Sequence, residues 1–269
     1  MKKLLLVTPP YHCGVVEVAG RWLPLNLLYV AEAARRAGVE VVLYDAMSRF
    51  DGLRKIRSVL ERERPDFVAT TTITATTPAT LKLVKLAKAA VPGVKVIVGG
   101  VHATFMAEEM LRDAGGAIDF VVRGEGEETV FELMKALLSG GDPAAVAGLT
   151  FLSPTGDVVA TPPRPFLQDL EKYPAAFDIV DWSPYRYFVI PKSRLGAIST
   201  SRGCDHTCTF CSQQVFWAKT NRARKPEAVV AEIEALYRLH GVNVFLVSDE
   251  YPTGDAARWE EILDRIIAL

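Results

Sequence analysis

The sequence has little cysteine, no long apolar run and almost no net charge, and each shortage removes a class of protein. Four cysteines stand among 269 residues. Three of them, Cys204, Cys208 and Cys211, fall within eight positions, which leaves Cys13 as the sole other partner for a bridge. The disulfide framework of a secreted domain is thereby excluded, and a reduced, cytoplasmic compartment is expected. No stretch of about 18 apolar residues occurs, so no membrane span is expected. The opening Met1-Lys-Lys-Leu-Leu-Leu-Val7 starts like a signal peptide, but the apolar run stops before Pro9-Pro10 and no small-residue cleavage pattern follows. It reads as a first buried strand. Lys and Arg number 31 against 32 Asp and Glu, for a net charge of -1. No basic footprint for nucleic acid exists, and small-molecule chemistry is the expectation.

What is present alternates strand and helix. Leu4–Val7, Val39–Tyr44, Phe67–Thr71, Lys95–Val98 and Phe120–Val122 read as short buried strands; Pro24–Ala37, Thr77–Ala90 and Glu127–Leu138 read as helices closed by glycine or proline. Such units call for an α/β fold with a doubly wound parallel sheet, here over residues 1–147 in the flavodoxin-like strand order. Ligands of that fold sit at the carboxyl edge. The segments expected there are Thr8-Pro-Pro-Tyr-His-Cys-Gly14, the threonine-rich run from Thr70 with Thr71, Thr72 and Thr74, then Gly99-Gly100-Val-His102, and Arg123-Gly124-Glu125-Gly126-Glu127. Glycine lets a ligand approach the backbone and threonine can bond it, while tight-turn formation explains any one loop equally well.

Residues 148–193 change character. Leu149–Leu152 and Val158–Thr161 flank a hairpin turn, and six prolines from Pro162 to Pro191 break regular structure. Seven aromatics, Phe166 to Phe188, are too many for a free tether, so this linker packs on its neighbours or lines a pocket. From residue 194 to 269 a second region begins with a strand over Leu195–Thr200 that runs into the cysteine loop. Pro226 opens a helix with Val229, Val230, Ile233, Leu236 and Leu239 on one face; Val242–Val247 is a strand ending in Ser248-Asp249-Glu250, and a last amphipathic helix starts at Asp255.

The spacing Cys204-x3-Cys208-x2-Cys211 lets one loop hold three irons of a 4Fe-4S cluster and leave the fourth without a protein ligand. The alternative is a structural zinc site completed by His206, which crowds one short loop around a tetrahedral ion. The basic run Lys219, Arg222, Arg224 and Lys225 pairs with a ligand carboxylate or forms a solvated face.

These residues carry a family resemblance. The cysteine loop at a strand end, with Phe210 before its last cysteine, resembles the signature of radical S-adenosylmethionine (SAM) enzymes. In that family the open iron binds SAM and the cluster's electron releases a radical that abstracts hydrogen from substrate. The resemblance implies that Cys204, Cys208 and Cys211 hold the cluster, that Phe210 lies near the adenine, and that Asp249 and Glu250 lie near the SAM amino group, unless that pair merely ends a strand. The region before it resembles the cobalamin-binding domain of one large subgroup. Thr71, Thr72, Thr74, Gly99, Gly100, His102, Gly124, Glu125 and Gly126 occupy the places where that subgroup surrounds the corrin and its nucleotide tail. The Asp-x-His-x-x-Gly motif of other cobalamin proteins is absent, and Pro10-Tyr-His12-Cys-Gly14 shares only a histidine and a shifted glycine. Cobalt without a histidine ligand is implied, with His12 the alternative. No catalytic side chain is singled out.

A narrower resemblance rests on Tyr11-His-Cys-Gly14, Ala19-Gly-Arg-Trp22, Tyr44-Asp-Ala-Met47, Gly99–Met106, Arg123–Glu127 and Cys211-Ser-Gln-Gln-Val-Phe-Trp217. It is to the oxygen-independent oxidative cyclases of magnesium-protoporphyrin IX monomethyl ester, and it implies a flat tetrapyrrole substrate and an external electron donor. The alternatives are another cobalamin-dependent radical SAM enzyme, such as a C-methyltransferase, and a non-catalytic module that binds cobalamin or a cluster. The resemblance implies a six-unit partial barrel, yet 58 residues follow Cys211. The expectation is therefore the first two β/α units of an incomplete radical SAM core, inactive alone unless another chain completes the barrel.

Overall fold

The computed structural model describes the backbone of residues 1–269 and every side chain except those of residues 15–17. In chain order the elements are β1 (Lys3–Val7), α1 (Gly14–Ala19), α2 (Leu25–Arg36), β2 (Glu40–Tyr44), α3 (Leu53–Glu63), β3 (Phe67–Thr71), α4 (Thr77–Ala90), β4 (Lys95–Gly99), α5 (Val101–Phe105), α6 (Ala107–Ala114), β5 (Phe120–Val122), α7 (Glu127–Ser139), β6 (Leu149–Leu152) and β7 (Val158–Ala160). They continue with β8 (Leu195–Ile198), β9 (Ser201–Gly203), α8 (Gln213–Phe216), β10 (Asn221–Ala223), α9 (Pro226–His240), β11 (Val244–Val247) and α10 (Ala256–Ile267). The chain forms two compact units: Met1–His12, Asn26–Leu167 and Tyr173–Val180 make the first, and Cys13–Leu25, Gln168–Lys172 and Asp181–Leu269 the second.

The first unit is built on a seven-stranded sheet in the order β2-β1-β3-β4-β5-β6-β7. Strands β1 to β5 are parallel, in the flavodoxin-like order expected, and the β6–β7 hairpin adds two antiparallel strands to one edge. Side chains alternate between the two faces. Leu5, Val7, Val68, Val96, Val98 and Val121 pack with α3, α4 and α6 on one face, and Leu4, Leu6, Phe67, Ala69, Ile97 and Phe120 with α2 and α7 on the other. Because both faces are covered, the strands read as continuous apolar runs. Each fully buried leucine contributes about 1.5–3 kcal/mol. Helix α3 was not expected from the sequence, although Ile56, Val59 and Leu60 stand at helical spacing and are its buried side. Among the described residues no helix is long and apolar enough to cross a membrane.

The expected hairpin is β6–β7. Of the aromatics between Phe166 and Phe188, Tyr173 and Tyr185 are buried, whereas Phe188 is exposed. Tyr173 belongs to the first unit, where its ring lies 6.3 Å from that of Phe131 and its hydroxyl donates to Glu128 at 3.1 Å.

In the second unit β8 pairs parallel with β11, from Leu195 opposite Val244 to Ile198 opposite Val247. Helix α9 makes the crossover. Proline near its first position and Gly241 in the left-handed region at its end delimit it as the sequence suggests. Val229, Val230, Ile233 and Leu236 are its buried face; Leu239, expected on the same stripe, is exposed. Asp255 caps α10 by accepting from the Arg258 amide, and Ile262 anchors that helix. The strand expected over Leu195–Thr200 ends at Ile198, and a separate antiparallel pair, β9 with β10, follows.

One glycine ties the sheet of the first unit to its edge. Gly100 has φ +99°, and a Cβ there would stand 2.6 Å from the Thr72 carbonyl oxygen and 2.8 Å from the Thr72 nitrogen. The Gly100→Ala variant is expected to lose about 1–3 kcal/mol from the backbone conformation alone. Urea unfolding measures it, and an unchanged midpoint would show that the loop yields without cost.

Candidate functional site

Strand β1 and strands β3 to β5 deliver their loops to one edge of the first sheet, and the backbone joins them there. The Thr72 amide donates to the Gly99 carbonyl at 2.9 Å, and the His102 amide to the Thr72 carbonyl at 3.2 Å. Thr104, which was not expected to matter, couples the next pair of loops. Its hydroxyl donates to the Gly100 carbonyl at 2.9 Å and accepts from the Gly124 amide at 3.0 Å. Its place two residues after His102 in a glycine-led run was the available signal.

The singled-out residues divide into two groups. Thr72 is buried, its hydroxyl donating to the Ile73 carbonyl at 3.1 Å and lying 3.2 Å from the Thr76 hydroxyl. Thr71 accepts from Asn26 Nδ2 at 3.0 Å, and Glu125 accepts from the Leu167 amide at 2.8 Å. These hold the edge together. Gly124 adopts φ +69°, and Gly126 packs near Val30 and Val122. By contrast, Thr74 and His102 meet at 3.2 Å beside the solvent, and Ile73 and Phe105 on the same loops are exposed. Thr70, at the end of β3, is 3% exposed and its hydroxyl makes no hydrogen bond. His12 stacks on Phe50 at 4.7 Å. Arg123 fastens the hairpin instead of facing the edge, donating to the carbonyls of Leu149 and Thr161, and burial pulls its pKa down.

In the second unit all three cysteines of the loop are free thiols; Cys208 is exposed and Cys204 and Cys211 are half-buried. The Cys211 amide donates to the Cys208 carbonyl at 3.1 Å. Phe210 is 91% exposed, an unusual state for a phenylalanine and one suited to a ligand face. His206 packs its ring 4.6 Å from that of Tyr251. Among the described residues no three His, Cys, Asp or Glu side chains converge as they do around a metal ion.

Asp249 and Glu250 come to the base of this loop. Asp249 accepts from the Thr200 amide at 2.7 Å and from the hydroxyls of Thr200 and Ser201. Glu250 accepts from the Gly203 amide at 3.1 Å and from Trp217 Nε1 at 2.9 Å.

Arg224 departs from both readings of the basic run. It is 7% exposed, and its guanidinium pairs with Glu171 at 2.7 Å and Glu232 at 3.0 Å while donating to the Ser199 carbonyl at 2.8 Å. It is a structural centre of the second unit. Arg222 lies over the Trp217 ring at 5.4 Å. Burial raises the Glu232 pKa above the usual glutamate value, and Arg224 opposes the rise. A raised carboxyl pKa means that the folded state holds a proton longer than the unfolded state. Stability from this group is therefore greatest at low pH and falls as pH rises through the raised value. The Glu232→Gln variant is expected to flatten that part of the urea midpoint against pH curve, and an unaltered slope would contradict the assignment. Arg224→Met should cost about 3–5 kcal/mol, because it strands a buried carboxylate.

Residues 11–134 match the B12 binding domain family, and residues 198–268 match the radical SAM superfamily. The chain thus joins a B12-binding domain to a radical SAM portion. It is 35% identical to the anaerobic magnesium-protoporphyrin IX monomethyl ester cyclase of Rubrivivax gelatinosus, over 98% of this chain and 48% of that protein. It is 32% identical to an uncharacterized methyltransferase of Pyrococcus horikoshii, over 98% of this chain and 57% of that one. Among solved structures, the cobalamin-dependent SAM radical enzyme OxsB, determined with aqua-cobalamin and SAM bound, superposes with a TM-score of 0.80 at 19% identity, over 100% of this chain and 37% of that one. The chain thus spans about half the length of the curated relatives it matches.

Proposed function

We propose that this chain carries the cobalamin edge and the cluster loop of an oxidative cyclase acting on magnesium-protoporphyrin IX monomethyl ester, in the cytoplasm and with an external electron donor. The observation that carries the reading is the 35% identity to such a cyclase over 98% of the chain. That span includes both cofactor regions and the stretch between them.

The residues fit the cofactors. Three free thiols on one exposed loop are the donor set for a 4Fe-4S cluster, held by Cys204, Cys208 and Cys211. Phe210 offers an uncovered ring for the SAM adenine. Asp249 and Glu250 stand at the loop base with three and two hydrogen bonds made, and a carboxylate, with about four acceptor sites, still has capacity for the SAM amino group. In the first unit Thr70 supplies a buried hydroxyl without a partner, and Ile73 and Phe105 supply exposed apolar surface. Thr71, Thr72, Thr74, Gly99, Gly100, His102, Gly124, Glu125 and Gly126 form the wall of that cobalamin site. When bound, the cluster and SAM supply hydrogen-atom abstraction. The chain's own part is to hold the three thiolates on one loop and to present the glycine-bearing loops and the exposed Ile73 and Phe105 at the sheet edge.

A second reading, a cobalamin-dependent methyltransferase, is favoured by the 32% identity over 98% of the chain to an uncharacterized methyltransferase. Anaerobic reconstitution with iron and sulfide, followed by electron paramagnetic resonance with and without SAM, tests what the two readings share. A cluster signal that shifts on adding SAM is expected, and a signal indifferent to SAM would contradict both. With the tetrapyrrole and a chain that completes the barrel present, ring closure identifies the cyclase; a methyl group transferred from SAM identifies the alternative.

A further inference from the structure

The cysteine loop is closed at its neck by groups other than the three thiols. Gly203, immediately before Cys204, pairs with Asn221 across the β9–β10 ladder. Its φ is +90°, and a Cβ there would stand 2.1 Å from the Thr220 carbonyl oxygen. The outgoing and returning strands therefore touch backbone to backbone. Trp217 is 9% exposed at the return of the loop, and its Nε1 donates to one Glu250 oxygen at 2.9 Å. The other Glu250 oxygen accepts from the Gly203 amide at 3.1 Å. One carboxylate thus spans the neck, holding the entry to the cysteines with one oxygen and the exit with the other.

We infer that Glu250 is a positioning residue for the cluster loop, acting through Gly203 and Trp217 to fix the two ends of the segment that carries the three thiols. This rests on the cluster reading above and deepens it. Glu250 follows β11, whereas the loop follows β8, and the parallel pairing of those strands brings the two together. Charge-assisted hydrogen bonds of this kind are stronger than neutral ones. A loop of three thiolates around a cluster also brings its own negative charge close together, so an anchored neck opposes its opening. Glu250 is nevertheless exposed on its remaining side. It can meet a ligand without releasing the loop.

The test uses the whole chain and the variants Glu250→Gln, Glu250→Ala, Trp217→Phe and the Glu250→Gln/Trp217→Phe double variant. Two readouts are taken without SAM. The first is amide exchange across residues 201–221, which needs no cluster. Exchange at the Gly203 amide should accelerate about tenfold in Glu250→Ala, the loss of one charge-assisted bond. The second is the resonance spectrum and iron retention of the reconstituted cluster. Glu250→Gln and Trp217→Phe should each alter the SAM-free signal, and the double variant should do little more than the stronger single one, because both act on one brace. Gly203 exchange unchanged in Glu250→Ala would overturn the proposal. So would a wild-type SAM-free spectrum in Glu250→Gln that loses only its response to SAM, since that places Glu250 on the ligand alone. If the wild-type chain assembles no cluster while exchange at Gly203 still accelerates, the brace stands and the cluster reading fails.

Discussion

Parallel pairing is the constraint on which both units depend. A strand that returns in the same direction must cross over, and every such crossover brings the strands' carboxyl ends to the same edge. In the first unit this gathers the loops after β3, β4 and β5, which are far apart in sequence, until Thr72, Gly99 and His102 share backbone hydrogen bonds. In the second unit it carries Asp249 and Glu250 beside Thr200 and Gly203, across the whole of α9. Neither meeting requires a special contact to initiate it. It follows from the ladder and from the apolar faces that make the ladder worth forming.

Once gathered, polar residues at such an edge do one of two kinds of work. Thr72 and Glu125 bond the chain to itself, as do Arg224 and Asp249 in the second unit. Their hydrogen bonds are what make the loops definite in shape, since an unpaired buried polar group costs more than a bond gains. The groups left facing outward are Ile73, Phe105, Phe210 and the thiol of Cys208. A ligand-binding edge is built from both kinds: the satisfied groups supply rigidity, and the unsatisfied or apolar ones supply the contact. Glu250 is intermediate, with both oxygens used and one side open.

The sequence made much of this legible because the relevant signals are local. Strand β3 and helix α4 stand at Phe67–Thr71 and Thr77–Ala90, where β-branched residues and a proline-glycine stop marked them. The hairpin declared itself through Ser-Pro-Thr-Gly-Asp. What was not legible depends on partners distant in the chain. Arg224 looked like part of a basic cluster because its neutralising Glu171 lies 53 residues away, and nothing near Arg224 announces that pairing. The β9–β10 ladder is only three residues long on each strand, too short to show a period of two. Trp217 and Thr104 lie within runs that carry the resemblance, but nothing local marks either one as a brace. Their importance arises from a single donor or acceptor placed at the right point by the fold.

The central claim is that one chain presents two separate cofactor sites, a cobalamin edge in the first unit and a cluster loop in the second. It is tested most directly by measuring iron and cobalamin in the same anaerobic preparation, for the wild type and for a Cys204→Ala/Cys208→Ala/Cys211→Ala variant. The expected result is about four irons per chain with bound cobalamin in the wild type, and loss of the iron with retention of the cobalamin in the variant. Iron that survives removal of the three cysteines, or a wild-type chain that retains no cobalamin, would contradict it.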